Sequence, residues 1–153
     1  MGPVVVDTNL LLLLIVGSTG RHYIRMHDNL GHYDDSDFDT LTAAISLYSD
    51  IVLVPHIMAE VSSLARQIRN PARRRIQETL RNLVETTAEI PMPSIIGVRR
   101  GEFDRFGLTD ALLLGMCAAS QSGLELSLLT ADNDLAVQAE MLGYGVLNFR
   151  HLQ

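Results

Sequence analysis

Hydrophobic residues along this chain fall into short unbroken runs separated by segments with helical spacing. The first run, Val4–Val6, ends in Asp7, and a second run at 10–16 follows almost at once. Valine-rich runs without polar alternation are typical of parallel strands covered on both faces. We therefore predict a buried strand that leads directly into a buried helix, which the glycine and hydroxyl residues at 17–20 should end.

Later runs predict the rest of the sheet. Residues 51–54, 125–130 and 145–149 have the composition of further strands. Residues 89–93 include two prolines, so we expect at most a poorly formed edge strand there. Because these strands alternate with helical segments, the pattern predicts an α/β fold with a mostly parallel sheet.

Apolar residues recur at helical spacing between the predicted strands. Pro55 is expected to open one such helix, at the position where its missing N–H costs least. Glu60 falls within the apolar stripe of that helix, which places an acid on the side predicted to be buried. Residues 36–39 have the spacing of a capping box ahead of an earlier helix. Asn70 is predicted to be the N-cap of a further helix, with Pro71 in its first turn. Two more helices are predicted to span 108–119 and to open at Asp132.

Length and hydropathy limit the class of protein. The 153 residues are expected to form a single domain, 1–153, which buries roughly two-thirds of its unfolded surface. The longest apolar run, at 10–16, is far shorter than the roughly 20 residues of a membrane span, and no basic segment precedes it as in a signal peptide. The single Cys117 offers no disulfide framework. We therefore expect a cytoplasmic protein with no membrane contact.

The charge distribution changes which partners are expected. A net charge of -6 argues against nucleic-acid binding by the surface as a whole, so such binding needs a local patch. Every basic residue is arginine, which excludes mechanisms that require a lysine. One region is rich in basic residues: Arg66, Arg69, Arg73, Arg74, Arg75 and Arg81. It is either a solvated helical face or a surface for phosphate groups or an acidic partner.

Acidic residues stand where predicted strands end or helices begin. They are Asp7, Glu60, Asp110, Asp132 and Asp134. In a right-handed βαβ topology these ends lie at one edge of the sheet, so the acids should converge. Two carboxylates about 5 Å apart repel by roughly 3 kcal/mol at an effective dielectric near 20, so a cleft holding several of them favours a bound cation. Oxygen ligands of this kind suit Mg²⁺ or Mn²⁺, which activate water and neutralise charge on a phosphate.

A simpler explanation exists for each acid taken alone. Asp110, Asp132 and Asp134 are placed to stabilise helix N-termini. Asp7 and Glu60 are harder to explain in this way, because an unpaired carboxylate in apolar surroundings costs several kcal/mol. A partner ion pair is the remaining structural explanation for these two.

Four segments resemble the successive motifs of PIN-domain nucleases, and they are VDTN at 6–9, PHIMAEV at 55–61, GLTDA at 107–111 and LTADNDL at 129–135. Their order and spacing match across essentially the whole chain. The resemblance implies a three-layer α/β/α sandwich with a mostly parallel sheet of about five strands. It also implies an acidic pocket that binds Mg²⁺ or Mn²⁺ and hydrolyses RNA phosphodiester bonds, leaving a 5′-phosphate and a 3′-hydroxyl.

The resemblance also assigns roles to individual residues. It implies that Asp7, Glu60, Asp110 and Asp132 are the catalytic and metal-binding acids, with Asp134 an auxiliary metal ligand. Thr8 or Asn9 would orient Asp7 or bind a metal-bound water. Many similar small bacterial proteins are VapC-type toxins, so a homodimer and an antitoxin partner are also implied. The segment 17–37 is longer and more polar than in a minimal toxin, and is a candidate for partner or substrate contacts.

Other classes of protein fit the sequence less well. A haloacid-dehalogenase-like phosphatase needs a second acid where this chain has Asn9, a response-regulator receiver needs a lysine, and dinucleotide- or P-loop-binding folds need a glycine-rich motif after the first strand. His22, His27 and His32 do not have a recognised zinc spacing. The remaining alternative is a non-catalytic PIN-like module that binds RNA or protein through its arginines, and the candidate contacts are Arg66, Arg69, Arg73, Arg74 and Arg81.

Overall fold

A computed structural model describes residues 2–120 and 125–153, in which eight α-helices lie between the first strand and the second and one lies between the second and the third. The strands in these ranges are β1 (Val4–Val6), β2 (Ser127–Thr130) and β3 (Gly145–Asn148). The α-helices in these ranges are α1 (Thr8–Thr19), α2 (His22–Met26), α3 (Asp35–Ile45), α4 (Pro55–Ala65), α5 (Ala72–Thr86), α6 (Ser94–Val98), α7 (Phe103–Phe106), α8 (Leu108–Ser120) and α9 (Asn133–Met141). Short 3₁₀ turns lie at Asp28–Leu30 and Phe149–His151.

The sheet is parallel, as predicted. Its strands have the order β1-β2-β3, with Val5 opposite Leu128 and Leu128 opposite Val146. Isolated parallel bridges join Val4 to Ile51 and Leu53 to Glu89 on the other side of β1. The predicted strand at 51–54 is therefore an extended segment held by single bridges, and the predicted edge strand at 89–93 is reduced to one bridge. A continuous five-stranded sheet is not confirmed, because Pro55 starts a helix and Pro91 and Pro93 lack backbone donors.

The buried strand that leads into a buried helix is confirmed. All three residues of β1 are buried, and α1 begins directly after Asp7, whose side chain accepts the backbone N–H of Thr8 as the N-cap. Helix α1 packs against α2, α3, α4 and α5. Helix α8 packs against α6, α7 and β2, and its residues 111–117 are all buried. Helix α1 follows β1, and α9 follows β2. Because β1 and β2 are parallel, these two turns from strand to helix lie at the same edge of the sheet.

Gly17 was predicted to help end the first helix, and this prediction is wrong. Helix α1 continues to Thr19, and Gly20 is its C-cap. A Cβ atom at residue 17 would lie 2.2 Å from Cδ2 of Phe38, so the glycine leaves the space that the Phe38 ring of α3 occupies. A glycine in a helix costs about 1 kcal/mol relative to alanine, and here the packing of Phe38 requires it.

The helix starts were predicted with mixed accuracy. Pro55 opens α4, as expected. The capping box of α3 is formed by Asp34 and Asp37, two residues before the predicted start of the box at Ser36. Asn70 is not the N-cap residue of α5, although its side chain accepts the backbone N–H of Arg74. Among the helices of the described residues, none is both long enough and apolar enough to cross a bilayer.

Candidate functional site

The acids identified in the sequence border one open cleft of about 700 Å³ at the ends of β1 and β2. All five predicted acids line it, together with the predicted Thr8 and Asn9. They come from four places in the chain: the start of α1, the middle of α4, the first turn of α8 and the start of α9. The convergence expected from a parallel α/β topology is therefore present.

Asp7 is the most enclosed of these acids. Its Oδ1 accepts the backbone N–H of Thr8 at 2.8 Å, and its Oδ2 accepts the hydroxyl of Thr130 at 2.7 Å. Burial raises the pKa of Asp7, the hydrogen bonds from Thr130 and Thr8 oppose that rise, and the charges of Asp132 and Glu60 add to it. The structure thus holds a carboxylate in one orientation in surroundings that disfavour its charge.

Thr130 connects two of the acids, and the sequence did not identify it. It is fully buried at the end of β2, and its Oγ1 also accepts the backbone N–H of Asp132 at 3.0 Å. One hydroxyl therefore fixes both the Asp7 carboxylate and the backbone on which Asp132 is carried. The available signal was a buried hydroxyl residue two positions before a predicted site acid.

Glu60 was predicted to lie on the buried side of its helix, and this prediction is wrong. The residue is exposed to the cleft, where its carboxylate accepts two hydroxyl groups. Thr8 donates to Oε2 at 2.7 Å and Thr109 donates to Oε1 at 2.6 Å. Glu60 falls within the apolar stripe of α4 in the sequence. In the structure its carboxylate is hydrogen-bonded by one threonine of α1 and one of α8. Thr8 was a candidate to orient Asp7. Its backbone N–H does bind Asp7, whereas its hydroxyl binds Glu60.

Asp110 lies in the first turn of α8 and has a strongly perturbed ionisation. Burial, followed by the charges of Asp7, Asp132 and Glu60, raises its pKa to about 7. The causes of this shift include no hydrogen bond that favours the charged form. A bound cation would relieve the repulsion and hold Asp110 ionised at neutral pH.

The remaining predicted residues lie at the rim of the cleft. Asp132 is the N-cap of α9, where its Oδ1 accepts the N–H of Leu135 at 3.2 Å. This capping role was the simpler explanation of Asp132, and it coexists with a position in the cleft. Asp134 and Asn9 are exposed and line the cleft.

The donor set suits a hard divalent cation that keeps most of its waters. Within residues 2–120 and 125–153, no three His, Cys, Asp or Glu side chains are placed to hold one ion together. A cage built only from protein ligands is therefore a poor fit. Mg²⁺, however, commonly binds one or two carboxylates and completes its shell with water and substrate phosphates. Asp7, Glu60, Asp110 and Asp132 are the cleft acids that could hold such an ion.

Comparison with protein-family models and with curated proteins finds no match to this chain. The resemblance to PIN-domain nucleases therefore depends on the four sequence motifs. The cleft is independent of that resemblance, because its geometry follows from the fold.

The arginine-rich region lies mainly on α5 and the segment before it. Two of its members have structural contacts: Nε of Arg73 donates to the carbonyl of Ile68 at 2.9 Å, and Arg75 donates to the hydroxyl of Tyr23 at 3.0 Å. The side chains of Arg66, Arg69, Arg74 and Arg81 are exposed. Arg73 is thus a weaker candidate for RNA or partner contacts than predicted. Arg66, Arg69, Arg74 and Arg81 stay available for such contacts.

Three further cleft-lining residues have aromatic or cationic side chains and were not predicted as site residues. They are His32, Tyr33 and Arg150. The sequence offered a weak signal for His32 and Tyr33, since both fall in the polar segment 17–37. It offered none for Arg150, which follows the last strand without a motif.

Proposed function

We propose that this chain is a divalent-metal-dependent ribonuclease that hydrolyses RNA phosphodiester bonds at the acidic cleft. The observation that carries the proposal is the convergence of Asp7, Glu60, Asp110 and Asp132 on one cleft, with two of them fixed by threonine hydroxyls. A surface with no chemical role has little reason to hold four repelling carboxylates together. An anionic substrate could approach these acids only if a cation neutralised them.

Hydrogen bonds within the protein orient two of the acids. Thr130 and the Thr8 N–H fix the two oxygens of Asp7, and Thr8 and Thr109 fix the two oxygens of Glu60. Such orientation removes conformational freedom before substrate binds, which is a recognised source of rate enhancement. A bound Mg²⁺ or Mn²⁺ would supply an activated water and stabilise charge on the phosphate. Water attack forms one P–O bond while the bond to the 3′ oxygen breaks, leaving a 5′-phosphate and a 3′-hydroxyl.

Without a bound cation, Asp110 can accept a proton near neutral pH. Its pKa of about 7 lies close to the value at which a general base works best at physiological pH. A bound cation would instead take Asp110 as a ligand, because it would stabilise the charged form and lower this pKa. Asp110 would then hold the cation and would not serve as the base.

The proposal extends to the fold. Helices α1 to α5 form one packed group, α6 to α8 form another, and α9 packs on β2 and β3. The isolated bridges at Ile51 and Glu89 continue the sheet beyond β1. These observations support a three-layer α/β/α sandwich in which five parallel segments form the middle layer. Such a sandwich is the PIN-like architecture that the motifs imply.

Metal binding separates the proposed enzyme from a non-catalytic module. We expect Mn²⁺ to raise the melting temperature of the protein, since a ligand at 100 times its Kd stabilises the folded state by about 2.7 kcal/mol. Asp7→Asn should remove most of this shift, whereas Asp104→Asn, which changes an acid outside the cleft, should retain it. Equal Mn²⁺ shifts in both variants would contradict the proposed site.

The exposed arginines favour a second candidate, a module that binds RNA or an acidic protein segment through Arg66, Arg69, Arg74 and Arg81. This candidate predicts that a variant with Arg69, Arg74 and Arg81 all changed to glutamine loses RNA affinity and salt dependence. It also predicts no response to Mn²⁺ or to Asp7→Asn.

A further inference from the structure

One wall of the acidic cleft is aromatic and cationic. His32, Tyr33 and Arg150 all line the cleft. Among the cleft-lining residues that the structure describes, Arg150 is the single arginine, and it faces a surface that carries five acids. Arg150 does not act as the ion-pair partner of a cleft acid, because no ion pair joins it to a carboxylate in the described part of the chain.

The position of Arg150 is fixed by neighbouring groups. Its Nε donates to the carbonyl of Ala131 at 2.8 Å, and its backbone N–H donates to Oδ1 of Asn148 at 3.1 Å. Asn148 is buried at the end of β3 and is itself held by Asn133, whose Oδ1 accepts the Asn148 amide at 3.0 Å. The Nε bond orients the guanidinium of this cleft-lining residue, and within the described residues its two terminal nitrogens have no hydrogen-bond partner or ion pair. A planar guanidinium with two available nitrogens is well suited to bind a phosphate.

The aromatic groups next to Arg150 form a continuous set. Phe149 is fully buried and meets Tyr33 edge to face, with ring centroids 6.3 Å apart. Tyr33 in turn contacts the ring of His32 at 4.1 Å between centroids, and His32 is exposed. The exposed imidazole is thus backed by a buried ring. Nucleobases of single-stranded RNA stack on ring faces of this kind, whereas the bases of a duplex are already stacked on each other.

We propose that His32 and Arg150 form a nucleotide subsite of the cleft, in which Arg150 binds a backbone phosphate and His32 stacks on the base of single-stranded RNA. This inference rests on the proposed function, since it assigns the substrate-contacting wall of the same cleft. The acids perform the chemistry, and the subsite positions the strand beside them.

The test measures binding of a short fluorescein-labelled single-stranded RNA by anisotropy over a range of salt concentrations. Asp7→Asn is the background, so that the RNA stays intact in the Mn²⁺ buffer. Adding Arg150→Gln should weaken binding about tenfold and reduce the slope of log K against log salt by about 0.7, the value for one phosphate contact on a single strand. Arg150→Lys keeps the charge and should keep the slope. Arg99→Gln, an exposed arginine that does not line the cleft, is the matched control.

Stacking on His32 should affect the affinity and the salt slope differently from the phosphate contact of Arg150. His32→Ala should weaken binding about tenfold without changing the salt slope, because stacking releases no counterions. His32→Phe should retain affinity, and a duplex of the same sequence should bind more weakly than the single strand. Equal binding of duplex and single strand, or an unchanged affinity in His32→Ala, would overturn this assignment.

Cleavage by the parent protein, measured separately, distinguishes the two proposals. If RNA is cut but Arg150→Gln and Arg99→Gln bind it with the same slope, the subsite is wrong and the ribonuclease stands. If RNA is not cut but both binding signatures appear, the subsite stands as an RNA-binding surface and the ribonuclease is wrong. If Arg150→Gln and Arg150→Lys weaken binding equally with the slope unchanged, the role of Arg150 is structural and the phosphate contact is overturned.

Discussion

The hydroxyl of Thr130 donates to Oδ2 of Asp7 at 2.7 Å, although 123 residues separate the two in the chain. The contact exists because β1 and β2 are neighbours in a parallel sheet and both end at the cleft. Thr130 donates one hydrogen bond to a partly buried carboxylate and accepts another from the backbone N–H of Asp132. Support of the acids by threonine hydroxyls is the feature that distinguishes this site from a chance acidic patch.

Removing the hydroxyls that hold Glu60 should lower activity without unfolding the protein. We expect Thr8→Val and Thr109→Val each to reduce kcat for RNA cleavage about tenfold, because an unrestrained Glu60 samples other rotamers. Stability should change by less than about 0.5 kcal/mol, since Glu60 is exposed and its two bonds are replaced by water. Steady-state kinetics and thermal melting measure the two effects.

Thr86→Val is the control for these two variants. Its hydroxyl donates to the carbonyl of Asn82 within α5, away from the cleft. We expect unchanged kinetics for this variant. A fall in kcat as large as that in Thr8→Val would show that the Glu60 contacts have no special role.

The ionisation of Asp110 should make stability depend on pH. Its pKa rises from 3.8 in the unfolded chain to about 7 in the folded protein, so the folded state binds more protons in that range. Unfolding free energy therefore falls as pH rises from about 4 to 7, and the full loss is present above pH 7. We expect Asp110 to contribute about 2 kcal/mol of this loss, with allowance for solvent screening of a partly exposed group.

Asp110→Asn is the variant that isolates this effect. Urea unfolding of the parent and the variant between pH 4.5 and 7.5, without divalent cations, gives their difference in stability at each pH. We expect the variant to gain stability over the parent as pH rises. A difference that does not vary with pH would contradict the raised pKa.

Gly17 should be intolerant of even a single methyl group. Gly17→Ala places a Cβ 2.2 Å from the ring of Phe38, so α1 and α3 must separate or Phe38 must leave its pocket. We expect a loss of about 2 to 3 kcal/mol, typical of an overpacked core, despite the better helix propensity of alanine. Gly31→Ala is the matched control, because nothing lies within 4 Å of its added Cβ, and thermal melting should show little change.

The sequence predicted the parts of this structure that follow from hydrophobic pattern. The buried β1, the start of α4 at Pro55 and the helix predicted at 108–119 are all found as expected. The sequence also located the acids correctly at one cleft, because parallel topology brings strand ends together. The errors at Gly17 and Glu60 share one cause. Their environments are set by Phe38 in one case and by Thr8 and Thr109 in the other, and neither set is local in sequence.

Cleavage of labelled RNA by the purified protein, in Mn²⁺, in Mg²⁺ and in EDTA, tests the central claim most directly. Parent protein, Asp7→Asn and the control Asp104→Asn should be compared in parallel, with the ends of the products identified. We expect cutting only with a divalent cation, 5′-phosphate ends, a loss of at least about 100-fold in Asp7→Asn and full activity in Asp104→Asn. Cutting that persists in EDTA or in Asp7→Asn, or no cutting by the parent protein under any of these conditions, would contradict the account.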